Sequence, residues 1–249
     1  MKKRSVKKKE PLSKKAGVVR VSTGIQNFDS LIEGGFEKDS TNLLVGGSGA
    51  GKSIFATQFL IDGVNKGEKC LFITFEEKKE QFFQNMEEFG WDLGKYEKDG
   101  SFVFLEYSPA KVKAMLDEGG GEIESIILKN KISRLVIDSI TSFELLFEDE
   151  LQKREASLDL FNMIKKWNST SLVTFEGSPD VEHKVYKALE FESDSIILMQ
   201  FIRKTIIRER YIEVLKMRGT AHSKGLYKFS ITKKGIEVNN KLVKSKKGD

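Results

Sequence analysis

The chain has one cysteine, Cys70, three prolines and two histidines among its 249 residues. One thiol cannot close an intramolecular disulfide, so the fold must be held by its core, and a reducing cytoplasm suits it. Cys70 lies inside an apolar strand pattern, where cysteine acts as a small core residue rather than a nucleophile. His183 and His222 are isolated from other ligand types, so no zinc site is expected. No run of about 18 apolar residues occurs, which leaves no expected membrane span. The first residues are charged with no apolar segment behind them, so no secretory signal is read there.

What the chain does have is charge, 32% of residues, alongside 39% hydrophobic residues, enough for a sizeable core. The net charge of +5 is unevenly placed. Residues 1–20 hold nine Lys or Arg against the single acid Glu10, and residues 241–249 hold four Lys against Asp249. The body between them is therefore mildly acidic. Residues 1–15 are expected to be a disordered basic tail, 16–240 one folded domain, and 241–249 a second basic tail. Such tails solubilise a chain, or touch nucleic acid or another anionic partner.

The stretch that organises the chain is Gly46-Gly47-Ser48-Gly49-Ala50-Gly51-Lys52-Ser53, which fits the phosphate-binding pattern G-x-x-x-x-G-K-[ST]. Residues 41–45 before it read as a short buried strand, and residues 54–63 after it read as a helix with Ile54, Phe55, Phe59 and Leu60 on its apolar face. Glycines let the backbone wrap an anion with its N–H groups pointing inward, and the helix N-terminus adds partial positive charge. Lys52 can reach β- and γ-phosphates, and the Ser53 hydroxyl can ligate Mg²⁺.

Further strands are expected at 18–22, 70–75, 102–105, 134–138 and 171–175, and helices at 79–89, 112–129 and 153–170, the second interrupted by Gly119-Gly120-Gly121. Residues 24–36 carry Ile25, Phe28, Leu31 and Ile32 at helical spacing, closed by Gly34-Gly35. This alternation predicts an α/β fold with a mainly parallel sheet and helices on both faces. After about residue 184 the pattern changes. Residues 195–203, 209–216 and 228–232 read as consecutive strands, an antiparallel C-terminal extension of the sheet. No internal repeat and no second domain boundary are visible.

Three further groups can carry chemistry beside the loop. Asp138 ends a strand of aliphatics, where a carboxylate can hold Mg²⁺ through its water shell. Glu76 and Glu77 sit at the end of the strand that follows the loop's helix, the edge where open α/β sheets bind ligands. One of them can orient and deprotonate a water; the other reading of the pair is a solvated start to a helix. Lys216 and Arg218, in Lys216-Met217-Arg218-Gly219-Thr220-Ala221-His222, share a strand face and could clamp a phosphate or form a solvated basic edge.

Together these motifs resemble the KaiC-like ATPases of the RecA superfamily. The resemblance runs through Ser22-Thr23-Gly24-Ile25, Gly34-Gly35-Phe36, the phosphate loop, Phe72-Ile73-Thr74-Phe75-Glu76-Glu77, Val136-Ile137-Asp138-Ser139, the stretch from Leu215 to Gly225 and Phe229-Ser230-Ile231-Thr232, covering roughly residues 18–238. It implies a RecA-like core, ATP and Mg²⁺ as ligands, and a hexameric ring with ATP between subunits. It further implies that Glu76 activates the water with Glu77 its neighbour, and that Lys216 and Arg218 reach the next subunit's γ-phosphate. The resulting expectation is a cytoplasmic Mg²⁺-dependent ATPase with a regulatory or signalling role. The alternatives are a nucleic-acid-associated ATPase of the recombinase-mediator type and an autokinase. The chain departs from the family's patterns at two places. Glu190-Phe191 stands where the clock protein's second domain carries a phosphorylated Ser-Thr pair, and Phe175-Glu176 stands where many RecA relatives carry a γ-phosphate-sensing Gln.

Overall fold

The computed structural model describes residues 17–243, apart from 109, 112, 113, 115–117, 120, 178–183 and 205, and the side chains of 184 and 185. The tail at 1–15, His183 and part of the 112–129 segment fall outside the described residues. A nine-stranded sheet forms the centre. Its strands are β3 (Thr41–Gly46), β4 (Cys70–Thr74), β5 (Phe102–Glu106), β6 (Arg134–Asp138), β7 (Thr170–Glu176), β8 (Ser195–Lys204), β9 (Ile207–Met217), β10 (Tyr227–Thr232) and β11 (Gly235–Leu242). They stand in the order β11-β10-β9-β8-β3-β7-β6-β4-β5. The pairs from β8 to β5 are parallel, and β9, β10 and β11 continue the sheet antiparallel. A separate two-stranded sheet joins β1 (Arg20–Val21) to β2 (Phe36–Glu37).

The parallel strands are buried on both faces, which is why they read as continuous apolar runs. Successive residues point to opposite faces, so each run divides between two cores. Leu44, Phe72, Val136 and Leu172 face one core with Phe55, Phe59 and Leu60 of α1 (Lys52–Asn65) and Phe82 of α2 (Lys79–Glu87). Leu43, Leu71, Ile137 and Val173 face the other, with Ile127 of α4 (Gly121–Asn130), Phe143 of α5 (Ile140–Glu144), Phe161 of α6 (Glu150–Lys166) and Leu189 of α7 (Lys184–Glu192). The short helix α3 (Leu93–Lys98) starts at Asp92, whose side chain accepts from the Lys95 N–H. Asp149 caps α6 in the same way, accepting from Leu151 and Gln152.

One expected helix is absent. Residues 24–36 form a single 3-10 turn, Asp29–Ile32, flanked by turns and leading into β2 at Phe36. Ile25, Phe28 and Ile32 are buried, as the spacing implied. The backbone, however, takes positive φ at Gly24, Asn27, Glu33 and Gly34, which an α-helix cannot contain. The Asp29 carboxylate instead accepts from the N–H and hydroxyl of Thr23. The helix expected over 153–170 lies at Glu150–Lys166, stopped where Asn168 turns left-handed. β11 reaches Leu242, two residues into the stretch read as a tail.

The opening segment is tied to the sheet by Arg134, whose side chain is almost fully buried. It donates to the carbonyls of Ser22 and Phe59 at 2.9 and 2.8 Å, to Asp62 at 3.1 Å and to Glu68 at 2.7 Å. The guanidinium holds the Glu68 carboxyl below the usual range. A charge this deep is tolerated because each of its three nitrogens has a partner. Among the described residues no helix is long and apolar enough to cross a membrane.

Candidate nucleotide site

The phosphate loop leaves β3 at Gly46 and enters α1 at Lys52. A Cβ at Gly46 would lie 2.4 Å from the Met199 carbonyl oxygen of β8, so only glycine lets the loop start this close to the neighbouring strand. Gly51 has φ 102°, the left-handed region that turns the chain into the helix. No side chain caps that helix start. The loop therefore presents free backbone donors and the positive end of a fourteen-residue helix. Lys52 is buried, and its ammonium donates to the carbonyls of Gly46 and Gly47 at 2.9 and 3.2 Å.

Three carboxyl groups gather around that one ammonium, and Glu77 lies beside two of them. Burial pulls the Lys52 pKa down, opposed by Glu176, Asp138 and Glu76 in that order. Burial pushes Asp138 up, and hydrogen bonds from the hydroxyls of Ser53 and Thr174 oppose it. Burial also pushes Glu77 up, with Asp138 and Glu76 adding to the rise. The sheet register explains this convergence. Thr74 lies opposite Asp138, and Gly46 opposite Glu176, so four parallel strands end their runs at one edge. Such an excess of negative charge suits a divalent cation, and an ATP phosphate chain entering alone would add to it. The Ser53 hydroxyl already touches the Asp138 carboxylate, so the two oxygen ligands expected for Mg²⁺ lie side by side.

Glu76 is held in place by two hydroxyls. Ser139 donates to its Oε1 at 2.8 Å, and Ser142 donates to the same oxygen in a short bond. The Thr74 hydroxyl accepts from the N–H groups of both Glu76 and Glu77 at 3.2 Å, fixing the turn that carries them. Beside Glu76 a cleft of about 480 Å³ opens between Phe75, Thr141, Ser142, Leu145, Leu146 and Glu176. Ser142 and Thr174 do not stand out in the sequence, and Ser139 is marked there only as the end of the Val136-Ile137-Asp138-Ser139 stretch. Arg210 was also missed. It donates from Nε and Nη2 to the Gly49 carbonyl at 3.3 and 3.2 Å, and its guanidinium lies 4.2 Å over the Phe201 ring.

The structure does not bring Lys216 and Arg218 to this edge. Lys216 pairs with Ile196, which pairs with Leu43 near the start of β3. Its ammonium donates to the Glu190 carbonyl at 2.6 Å. Arg218 donates to the Phe191 carbonyl and reaches Asp194 at 3.3 Å. Both cations thus cap the C-terminal end of α7, where the dipole favours positive charge. Burial lowers the Lys216 pKa, and repulsion from Arg218 adds to it. His222 bonds the Ser223 carbonyl through Nδ1 at 2.9 Å.

The family described as "ATPase: KaiC" matches residues 21–243 of the chain. The circadian clock protein KaiC3 of Synechocystis sp. is 35% identical over 89% of this chain and 46% of its own length. The circadian clock oscillator protein KaiC of Parathermosynechococcus lividus is 34% identical over 91% of this chain and 43% of its own length. The chain thus spans about half the length of these curated relatives. A KaiC-like protein of the archaeon Pyrococcus horikoshii OT3 has a crystal structure that superposes with a TM-score of 0.80. That match is 37% identical and covers 90% of this chain and all of the other. The mixed sheet, parallel at its centre and antiparallel toward the C-terminus, is therefore the RecA-type fold of KaiC-like proteins.

Proposed function

The chain belongs to the KaiC family of ATPases, and from that premise we propose that it binds ATP with Mg²⁺ and hydrolyses it in a ring whose sites lie between subunits. The loop from Gly46 to Ser53 holds the phosphates, with Gly47, Ser48, Gly49, Ala50 and Gly51 giving backbone donors and Lys52 moving from its carbonyl partners to the β- and γ-phosphates. Ser53 and Asp138 would hold Mg²⁺, which would supply positive charge against the phosphates. Glu76, fixed by Ser139 and Ser142, orients a water and takes its proton as the oxygen attacks the γ-phosphorus. Glu77, its carboxyl raised by burial, lines the same acidic edge.

The observation that carries the ring is the placement of Lys216 and Arg218. They stand at the end of the sheet opposite the chain's own phosphate loop, which supports a role toward a neighbouring copy's γ-phosphate rather than their own. A cation delivered in this way makes turnover depend on assembly. The clock proteins among the relatives support a regulatory role. The test is phosphate release with and without Mg²⁺, run beside light-scattering mass in ATP and in ADP. The reading requires Mg²⁺-dependent release and a nucleotide-bound assembly. A strictly monomeric enzyme with full turnover overturns the ring, and a protein that binds no ATP overturns the whole reading.

A further inference from the structure

The hairpin of β8 and β9 runs past the sheet beside the phosphate loop. β8 pairs with β3 only as far as Met199, and β10 pairs with β9 only from Arg210 onward. Among the described residues, the last three pairs, Ile202 with Glu209, Arg203 with Arg208 and Lys204 with Ile207, have no third strand on either side. This is a free two-stranded ribbon, a form that has little stability of its own in water.

Its two faces differ in charge. Alternation places Arg203, Arg208 and Arg210 on one face together with Phe201. Arg208 and Arg210 both lie over that ring, at 5.5 and 4.2 Å. The polar contacts of Arg208 and Arg210 go to the carbonyls of Phe201 and Gly49. Among the described residues none of the three arginines has a carboxylate partner, although Arg203 and Arg208 stand directly opposite each other. Like charges so placed are destabilising. On the other face the charges are matched: Glu209 accepts from Lys228 and Tyr211, and Lys204 sits 4.7 Å over the Tyr211 ring. At the tip Ile206 is 88% exposed and Ile207 57%.

We propose that the arginine face of this ribbon binds the phosphate backbone of duplex DNA. Guanidinium forks match phosphate oxygens in pairs, and a polyanion relieves the repulsion that the three arginines otherwise impose. A two-stranded ribbon fits the major groove, about 12 Å wide, with the tip isoleucine facing base edges. A membrane surface would ask for apolar side chains along a whole face, whereas the arginine face carries Phe201 covered by Arg208 and Arg210. Arg203 and Arg208 lie outboard of Arg210, which touches the phosphate loop itself, so a duplex on the ribbon would press on the contact to Gly49. The proposal does not depend on hydrolysis.

The test uses the full chain and a short fluorescein-labelled duplex, with anisotropy read over a salt series. The double variants Arg203→Glu with Arg208→Glu, and the milder Arg203→Gln with Arg208→Gln, are compared with the parent chain. Both should bind more weakly, the first by about tenfold or more, with the salt slope of log K shallower by about 2 for two lost phosphate contacts. Affinity for a fluorescent ATP analogue and the thermal midpoint should hold. Unchanged duplex binding in both variants overturns the proposal. So does a parallel loss of ATP affinity, which would assign these arginines to the nucleotide, and so does binding of phosphatidylserine vesicles or single strands in preference to the duplex through the same arginines.

Discussion

Lys216 and Gly46 stand at opposite ends of one sheet: Lys216 lies across Ile196 from Leu43, near the start of β3, whereas Gly46 closes β3 against Met199. Two strand spacings and three residues of rise separate their backbones by roughly 14 Å. That exceeds what a lysine side chain spans, and this one is already engaged with the carbonyls that end α7. The same sheet that gathers Lys52, Asp138, Glu76 and Glu176 at one edge therefore sends two of the chain's cations to the other.

Lys52→Ala should abolish tight ATP binding. Among the described residues the ammonium is the buried cation facing Glu176, Asp138 and Glu76, and without it only the loop's backbone donors and helix end offset those carboxylates. A charge-assisted contact of this kind, with desolvation, contributes about 3 kcal/mol. Titration with a fluorescent ATP analogue reads the loss, with the thermal midpoint as a folding check. Unchanged affinity in a folded variant would move the nucleotide elsewhere.

Glu76→Gln should bind ATP as the parent does and hydrolyse it about a hundredfold more slowly, the range for a lost general base. The amide keeps the Ser139 and Ser142 contacts close to their present geometry while losing the proton-accepting oxygen. Glu77→Gln is the companion variant. Burial and repulsion from Asp138 raise its carboxyl, which makes it the competing base. Single-turnover phosphate release decides between them: a greater loss in Glu77→Gln reverses the assignment, and no loss in either removes the base from this strand end.

The phosphate loop and the parallel strands were legible because each is a local signal: a glycine pattern with a fixed flank, and apolar runs buried on both sides. The segment at 24–36 was misread for an instructive reason. Ile25, Phe28 and Ile32 do face one core, but side-chain spacing says nothing of the left-handed residues between them. β11 escaped because only Ile236 and Val238 are apolar and buried before the strand turns polar, and it exists by pairing with β10. In the site, Ser142, Thr174 and Arg210 act only by converging from separate elements, which a one-dimensional reading cannot bring together.

Glu144 gives a stability prediction with a sign. Burial raises its carboxyl from an ordinary 4.5 to about 7. Between those values the folded chain holds a proton that the unfolded chain has released, so stability falls as pH rises through the window and stays lowered above it. Glu144→Gln removes the ionisation. Its thermal midpoint relative to the parent should rise more at about pH 8 than at about pH 5. Equal offsets at the two pH values would show that the carboxyl ionises normally in the folded state.

The last prediction asks whether Arg218 acts across a subunit boundary. Arg218→Ala should keep ATP binding, because the residue lies at the sheet end away from the phosphate loop. It should also lower kcat by about 10³-fold, as loss of an arginine finger does. The side chain's present contacts, the Phe191 carbonyl and Asp194, are peripheral to the core, so the fold should survive. Mixing is the discriminating step. When Arg218→Ala subunits are combined with Glu76→Gln subunits, some interfaces join an intact Glu76 to an intact Arg218 from the adjoining copy, and phosphate release should rise well above the sum of the two variants alone. If Arg218 served its own chain's nucleotide, every subunit in the mixture would still carry one defect in its own site and no rescue could occur. Exchange of differently labelled subunits, followed by energy transfer, verifies that mixed assemblies form. Verified exchange with merely additive activity would refute action between subunits and, with it, the reason for placing the site in a ring.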